Sequence, residues 1–330
     1  MAAHHAPRLP QARRWLEQAG ATLDPHLPIA VALSGGADST ALLLALAERH
    51  PRIEAWHVDH GWHADSAAQA AWLARRCRRW GIPLRTVRLC SLPPTNREAA
   101  ARQARYAAFA GMAAQSGIDR LALAHQRDDQ AETVCLRLLQ GAGVRGCTAM
   151  RPVRRRDGLI LLRPLLAQPA AELRRALRAR AIDWLEDPSN HDLTLRRNRI
   201  RHRLFPAIDR ATEPGYATAL FLRWQRQAAR LQRAIERQAE AIPLRREPDG
   251  ASVSWRQWRA AARPIRAAVL QRLAQAVCGA GVCLGRRHIR QIEAWRAEGG
   301  RGGLDLSRSR LIHAGDRLIL RLKGGMEATR

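Results

Sequence analysis

Between residues 29 and 139, short apolar runs alternate with stretches of helical period, and this alternation leaves the chain few architectures. The runs are IAVAL (29–33), IEAWHVD (53–59), LRTVRL (84–89) and RLALAH (120–125). Helical patterns occupy 38–49, 66–80, 97–116 and 129–139. Strands spaced by helices in this way pair in parallel, with helices covering both faces. The expected fold class is therefore α/β, and such sheets bind ligands beyond the carboxyl ends of their strands.

A further apolar run, LILL (159–162), precedes Pro164, Pro169 and a helical pattern over 170–180. Residues 217–240 contain neither Gly nor Pro and read as one long helix. Beyond LRREPDG (244–250) come helical patterns at 254–260, 264–277 and 286–297, then turns and short strands, which makes a small α+β domain. With 330 residues the chain exceeds one compact core of usual size. The expected division is a first domain over 1–215, a helical linker over 216–245 and a second domain over 246–330.

The first strand runs into Ser34-Gly35-Gly36-Ala37-Asp38-Ser39 and then a helix. That order sets bare backbone N–H groups at a helix N-terminus, where the dipole favours an anion and glycines let phosphate oxygens approach the main chain. Asp38 would repel phosphate unless a divalent cation joined them, which points to Mg²⁺ with a nucleotide. The plain alternative is a strand–turn–helix that Asp38 or Ser39 caps. A Walker A loop is excluded, because the only lysine is Lys323. GAGVRG (141–146) matches G-x-G-x-x-G but follows a helix, so it reads as a helix stop.

Fifty-six Lys+Arg against 29 Asp+Glu give a net charge of +27, which makes nucleic acid the first partner to consider. The arginine skew hints at GC-rich codons, but codon bias does not explain the excess of bases over acids. Six cysteines at irregular spacing, without C-x-x-C, suggest neither a disulfide framework nor a zinc site. The first twenty residues hold no apolar h-region, and no run is long enough for a membrane span, so a cytoplasmic setting is expected.

Asp128, Asp129 and Glu132 gather three acids at a helix start. They read either as a capping pair favoured by the dipole or as a cluster for Mg²⁺ and a proton. Glu98, Arg102 and Arg105 share one helical face, which a solvated ion pair would explain equally well. Ser189 and Asn190 after Pro188 read as a turn. The run Arg196-Arg197-Asn198-Arg199-Ile200-Arg201 is a basic face, and arginine grips phosphates bidentately.

SGGADS resembles the pyrophosphatase loop of the N-type ATP pyrophosphatases, the PP-loop family. HVDHG (57–61), NREAAARQARY (96–106), LALAHQRDDQAETVCLRLLQGAGVRG (121–146) and WLEDPSNHDLTLRRNRIRHRLFP (184–206) follow in order. Together they resemble the bacterial tRNA(Ile)-lysidine synthase family, closely over about 29–206. The chain departs from that pattern at Gln126, where the family usually has His, at Trp62-His63 for Leu-Arg, and at Cys147 for Leu. No catalytic part is therefore assigned to position 126, and no phosphate contact to position 63.

The resemblance implies a PP-loop catalytic domain and a C-terminal tRNA-binding domain. It also implies lysine transfer to the wobble cytidine of a CAU-anticodon isoleucine tRNA, with ATP as co-substrate, Mg²⁺ and free L-lysine. Ser34, Gly35, Gly36, Ala37, Asp38 and Ser39 would bind ATP. Asp38, Asp129, Glu132 and Arg201 would carry the reaction, with Asp38 and Asp129 on Mg²⁺ and Glu132 either a base or an ammonium anchor. Asp59, Glu98, Arg102, Arg105, Arg197 and Arg201 would contact tRNA or substrate. A homodimer is left open. Rival readings are a tRNA thiolase, for which the expected cysteine pattern is missing, a small-molecule amide ligase, which +27 does not suit, and a tRNA-binding protein without catalysis.

Overall fold

The computed structural model describes residues 6–18, 23–59, 61, 65–89, 97–279, 282, 284–300, 302–307 and 309–323, with backbone alone at 97–99 and 286. Two compact units divide the chain, 1–226 and 227–330.

The first unit opens with α1 (Ala12–Gln18), β1 (Ile29–Ala32), α2 (Ala37–Ala47), β2 (Ile53–Asp59), α3 (Ser66–Trp80) and β3 (Leu84–Arg88). It continues with α4 (Arg97–Ser116), β4 (Arg120–Ala122), α5 (Arg127–Leu139), α6 (Val144–Cys147), β5 (Val153–Arg156), β6 (Leu159–Leu162) and α7 (Ala170–Arg178). A 3₁₀ turn (Pro188–His191), α8 (Arg196–Arg199), a π-helical turn (Ile200–Leu204), α9 (Phe205–Ala211) and the start of α10 (Tyr216–Glu240) complete it.

The sheet order is β3-β2-β1-β4-β6-β5, parallel throughout except for β5. The chain leaves β1 toward β2 and β3, then returns to place β4 on the other side of β1. The carboxyl ends of β1 and β4 therefore form a topological switch point, where crevices open in sheets of this kind. Both faces are covered. Ile29 and Val31 join α1, α2, α3 and α7 in one core, whereas Ala30, Leu121 and Leu161 face Tyr106, Phe109 and Met112 of α4. This two-residue alternation between two apolar faces is what a fully buried strand requires.

The expected strands and helices are present, with shifted ends. β4 stops at Ala122, and Leu123 N still donates to Leu162 O before the chain leaves the ladder toward α5. β5 was not expected from VRRR, which lacks apolar alternation. It forms because Asp157 (φ 49°) and Gly158 (φ 77°) close a two-residue hairpin onto β6.

In the second unit β7 (Arg245–Glu247), β8 (Gly250–Ser254), β9 (Gly303–Asp305), β10 (Ser309–Ala314) and β11 (Arg317–Leu322) form an antiparallel sheet, ordered β7-β8-β11-β10-β9. The helices α11 (Trp255–Ala260), α12 (Arg263–Cys278) and α13 (Arg286–Ala297) complete it. Its core centres on Trp255, Trp258, Leu270, Leu273 and Trp295. The Arg266 guanidinium grips Glu293 with both arms, at 2.9 and 2.7 Å. No described helix is long and apolar enough to cross a membrane.

Candidate active site

β1 delivers the loop Ser34–Gly36, and α2 begins at Ala37 with Gly36 as an N-cap that makes no side-chain cap hydrogen bond. The first amides of α2 thus lack the hydroxyl or carboxylate partner that usually caps a helix. Asp38 and Ser39 do not cap. Ser39 is buried, and its hydroxyl donates to Gly36 O (3.0 Å) and accepts from Ser34 N (3.2 Å), so it braces the loop from inside. The Ser34 hydroxyl lies 3.1 Å from that of Ser39 on an exposed residue.

The two glycines do different work. Gly35 holds φ +86°, and a Cβ there would come within 2.7 Å of Leu185 Cδ1, while its carbonyl accepts from Leu185 N (2.9 Å). Gly36 has an ordinary φ of −67°, and a Cβ on it would meet nothing nearer than 3.6 Å. Gly35→Ala is expected to cost about 1–3 kcal/mol of stability from backbone strain and the clash. Gly36→Ala, which meets no clash, is expected to cost less stability than Gly35→Ala and to weaken nucleotide binding at the start of α2. Urea titration and nucleotide titration of the two variants separate these outcomes.

Asp38 sits in the first turn of α2, and its Oδ1 is buried without a hydrogen-bond partner. Burial, and after it the charge of Asp129, push its pKa up to about 6 against the pull of Arg174 and Arg201. An orphaned carboxylate oxygen beside a second carboxylate is a donor set suited to a hard divalent cation. Mg²⁺ typically takes one or two carboxylates and completes its shell with water and phosphate oxygens. Among the described residues no group of three or more His, Cys, Asp or Glu could hold a metal, so water and phosphate oxygens would have to supply the remaining ligands.

α5 carries the acid cluster. Gln126 is its N-cap: the side chain accepts from Asp128 N, and the Asp129 Oδ2 accepts from Gln126 N at 3.0 Å. Capping therefore pairs Gln126 with Asp129, not Asp129 with Glu132. Asp128 turns away and accepts from Ala170 N, the first amide of α7, at 3.1 Å. Position 126, which sequence reasoning left without a role, orients the cluster. The signal was missed because glutamine, unlike the shorter asparagine, is not among the residues first sought at an N-cap.

Glu132 is 2% exposed, and both its oxygens are taken. Arg197 Nε donates to Oε2 at 2.6 Å, and Arg201 donates from Nε to Oε1 at 2.6 Å and from Nη2 to Oε2 at 3.1 Å. Arg197 Nη2 also donates to Asp129 Oδ1 at 3.0 Å, and Arg201 Nη2 stands 3.6 Å from the same atom. Two carboxylates and two half-exposed guanidiniums thus form one cluster beside Asp38. Burial opposes charge on Arg201, but Glu132, Asp129 and Asp38 outweigh it and raise its pKa. The arginines are held from behind by buried Asn198, which donates to Ser189 O (2.8 Å) and Asp192 O (2.9 Å). Asn198 is a second residue that the sequence reading passed over.

A further group of arginines lies on the α4 face of the sheet. Arg156 lies over the buried Tyr106 ring at 4.0 Å and Arg102 at 5.8 Å. Buried Arg163 follows β6 and has an Nε with no partner among the described residues. Burial lowers the pKa of both Arg105 and Arg163. His125 is held down at about 3, by burial first and then by Arg163, Arg197, Arg105 and Arg102, so its imidazole is neutral at physiological pH. Neither His125 nor Arg163 was singled out from sequence.

The other expected residues are placed as follows. Asp59 ends β2 and is buried; its Oδ1 accepts from Gly61 N (2.8 Å), and Oδ2 lies 3.7 Å from Arg88 Nε. Glu98 falls in the first turn of α4, and its side chain lies outside the described residues, as do Trp62 and His63. Cys147, at the family's Leu position, is buried in α6.

A family model described as a PP-loop domain matches residues 9–208. The tRNA(Ile)-lysidine synthase of Polaromonas naphthalenivorans is 42% identical over 212 residues, 63% of this chain and 64% of that protein. The one from Salinispora tropica is 38% identical over 305 residues, 89% of this chain and 91% of that protein. The chain thus spans less than two thirds of the first of these relatives and nearly all of the second. Among solved structures, a U34-tRNA thiolase from Methanococcus maripaludis aligns with a TM-score of 0.55 at 18% identity, covering 66% of this chain and 78% of that one, a likeness of fold. The chain belongs to the PP-loop family and, within it, to the tRNA(Ile)-lysidine synthase family.

Proposed function

We propose that this chain joins lysine to C2 of the wobble cytidine of a CAU-anticodon isoleucine tRNA at the expense of ATP. The observation that carries the proposal is the uncapped start of α2 beside the orphaned Asp38 oxygen, with the Asp129–Glu132–Arg197–Arg201 cluster next to it.

The C2 oxygen of cytosine is a poor leaving group, so an amine cannot displace it directly. Attack of that oxygen on the α-phosphorus forms a C2–O–P linkage and expels pyrophosphate. The amine of lysine then attacks C2, the C2–O bond breaks, and AMP leaves with the electron pair. The loop amides and the Ser34 hydroxyl would hold the departing pyrophosphate where negative charge accumulates. When bound, Mg²⁺ would neutralise phosphate charge, held by Asp38 and Asp129. The positive charges of Arg174 and Arg201 act on Asp38.

The lysine ammonium must lose a proton before it can attack, its reference pKa being ~10.4. Glu132 suits that part poorly, because both oxygens would first have to leave two guanidiniums. We assign it instead to holding Arg197 and Arg201, and leave the base for the ammonium unassigned, since both Asp129 oxygens are engaged as well, by Gln126 N and Arg197 Nη2.

Pyrophosphate release by purified protein tests the first half-reaction. Release that requires both ATP and tRNA supports the proposal, whereas release with ATP alone and no response to tRNA contradicts it. A steep loss of tRNA binding with salt is expected from arginine contacts to the backbone. Binding that stays flat between low and moderate salt would remove the electrostatic part of the account.

A further inference from the structure

A cleft of about 550 Å³ lies behind the reaction cluster, lined by Leu136, Leu139, Arg196, Arg199, Ile200 and Arg203, with Gln140 and Leu204. Its volume falls within the roughly 300–1,000 Å³ typical of small-ligand sites. The walls come from the C-terminal turns of α5 on one side, and from α8 and the π-helical turn on the other. Leucines and an isoleucine form the floor, and three exposed arginines stand around it. Leu139 is 68% exposed and adjoins Leu138, which is 36% exposed.

The segment 196–204 has two working faces. Arg197 and Arg201 turn inward and, among the described residues, take the ion pairs of the segment, to Asp129 and Glu132. Arg196, Arg199 and Arg203 turn to the cleft and face no carboxylate at ion-pair distance among the described residues. The π turn, with Phe205 N bonded to Ile200 O, lets consecutive residues serve both faces.

We propose that this cleft takes one unstacked nucleotide of the RNA substrate, its base on the leucine floor and its phosphates on the arginine rim. The inference rests on the RNA-modifying function proposed above. Charge selects the occupant. A second copy of this chain, at +27, would bring like charge to an arginine rim, and a basic peptide finds no acid there. RNA supplies both a flat apolar face and the anions that arginine forks grip. The seated nucleotide presses on Arg199, Ile200 and Arg203, one residue away from Arg201 and two from Arg197. Docking of RNA in the cleft therefore bears on the arginines that hold Glu132, which gives pyrophosphate release a structural reason to depend on RNA.

The test is fluorescence-anisotropy binding of isoleucine tRNA transcripts, each carrying one abasic position in the anticodon arm. The proteins are native full-length chain, Leu139→Gln, Arg199→Gln and, as a control on an exposed arginine of α3, Arg79→Gln. Leu139→Gln is expected to weaken the intact transcript about tenfold, with Arg79→Gln within about twofold of native. One abasic position should weaken native protein by the same factor and cost Leu139→Gln nothing further. Sedimentation should show the same oligomeric state for all four proteins. Additive losses at every abasic position overturn the proposal, as does a native dimer that Leu139→Gln dissociates, which would make the cleft an interface between copies. A protein that shows the non-additive pattern but never releases pyrophosphate would sink the reaction and spare the cleft. Additive losses in a protein that does release pyrophosphate would do the reverse.

Discussion

Glu132→Ala is expected to lower turnover by at least a thousandfold and to destabilise the first unit as well. The loss has two sources. The substitution leaves Arg197 and Arg201 facing each other and Asp129 without the carboxylate that both arms grip, at 2.6 Å in each case. Breaking a buried pair by removing one partner costs about 3–5 kcal/mol. Here Glu132 is buried, but the arginine side chains are 38% and 35% exposed, so water recovers part of it and about 2 kcal/mol is expected. In a unit of this size that lowers the melting temperature by roughly 4–8 °C. Glu132→Gln keeps the shape and some hydrogen bonds and should recover most of the stability but little of the activity. A general base, by contrast, would leave the fold untouched when removed. Urea unfolding beside single-turnover pyrophosphate release distinguishes the two roles, and a fully stable, inactive Glu132→Ala would return Glu132 to the part of base.

Asp38→Asn is expected to do the opposite to stability while removing activity. The folded pKa of Asp38 stands at about 6, above the 3.8 of an unperturbed aspartate, chiefly because of burial and the neighbouring Asp129. A carboxyl raised in the folded state favours folding when protonated. That advantage is complete below the unfolded value and is lost as pH rises through about 4 to 6. Two units correspond to about 3 kcal/mol, and partial exposure reduces the expected figure to about 2 kcal/mol. At pH 7.5 the metal-free native protein carries this cost and Asp38→Asn does not, so the variant should unfold at higher urea. Near pH 3.5 the two should coincide. The same substitution should abolish pyrophosphate release, since the amide cannot replace the carboxylate toward Mg²⁺ and phosphate. A variant less stable than native at pH 7.5 would show that Asp38 serves the fold.

What could be read in advance follows from the range over which each interaction acts. The parallel sheet was legible because buried strands need apolar runs and connecting helices need a 3.6-residue period, both of which are local. The loop at 34–39 was legible because two glycines, two hydroxyls and an acid between a strand and a helix make a conspicuous string. Asp129 and Glu132 stood out as acids, but their partners Arg197 and Arg201 lie 65 or more residues away, and no local rule joins them. β5 is three arginines after a valine, and only the Asp157-Gly158 turn announces it. β7 and β8 pair across Pro248 and Asp249, in a stretch where neither side of the turn has an apolar run long enough to name a strand. His125 acquires its setting from Arg163 after β6, Arg197 of α8 and Arg102 and Arg105 of α4, which no window along the chain contains.

The central claim is that the α2 cradle and the cluster beside it activate a cytidine for attack by lysine. Mass spectrometry of the wobble nucleoside, after incubation of isoleucine tRNA with protein, ATP and lysine, tests it most directly. The account predicts a cytidine heavier by lysine less one water, formed only when ATP and lysine are both present and absent with Asp38→Asn. An unchanged cytidine from protein that binds both ATP and tRNA, or a base that has gained sulfur instead, would contradict it.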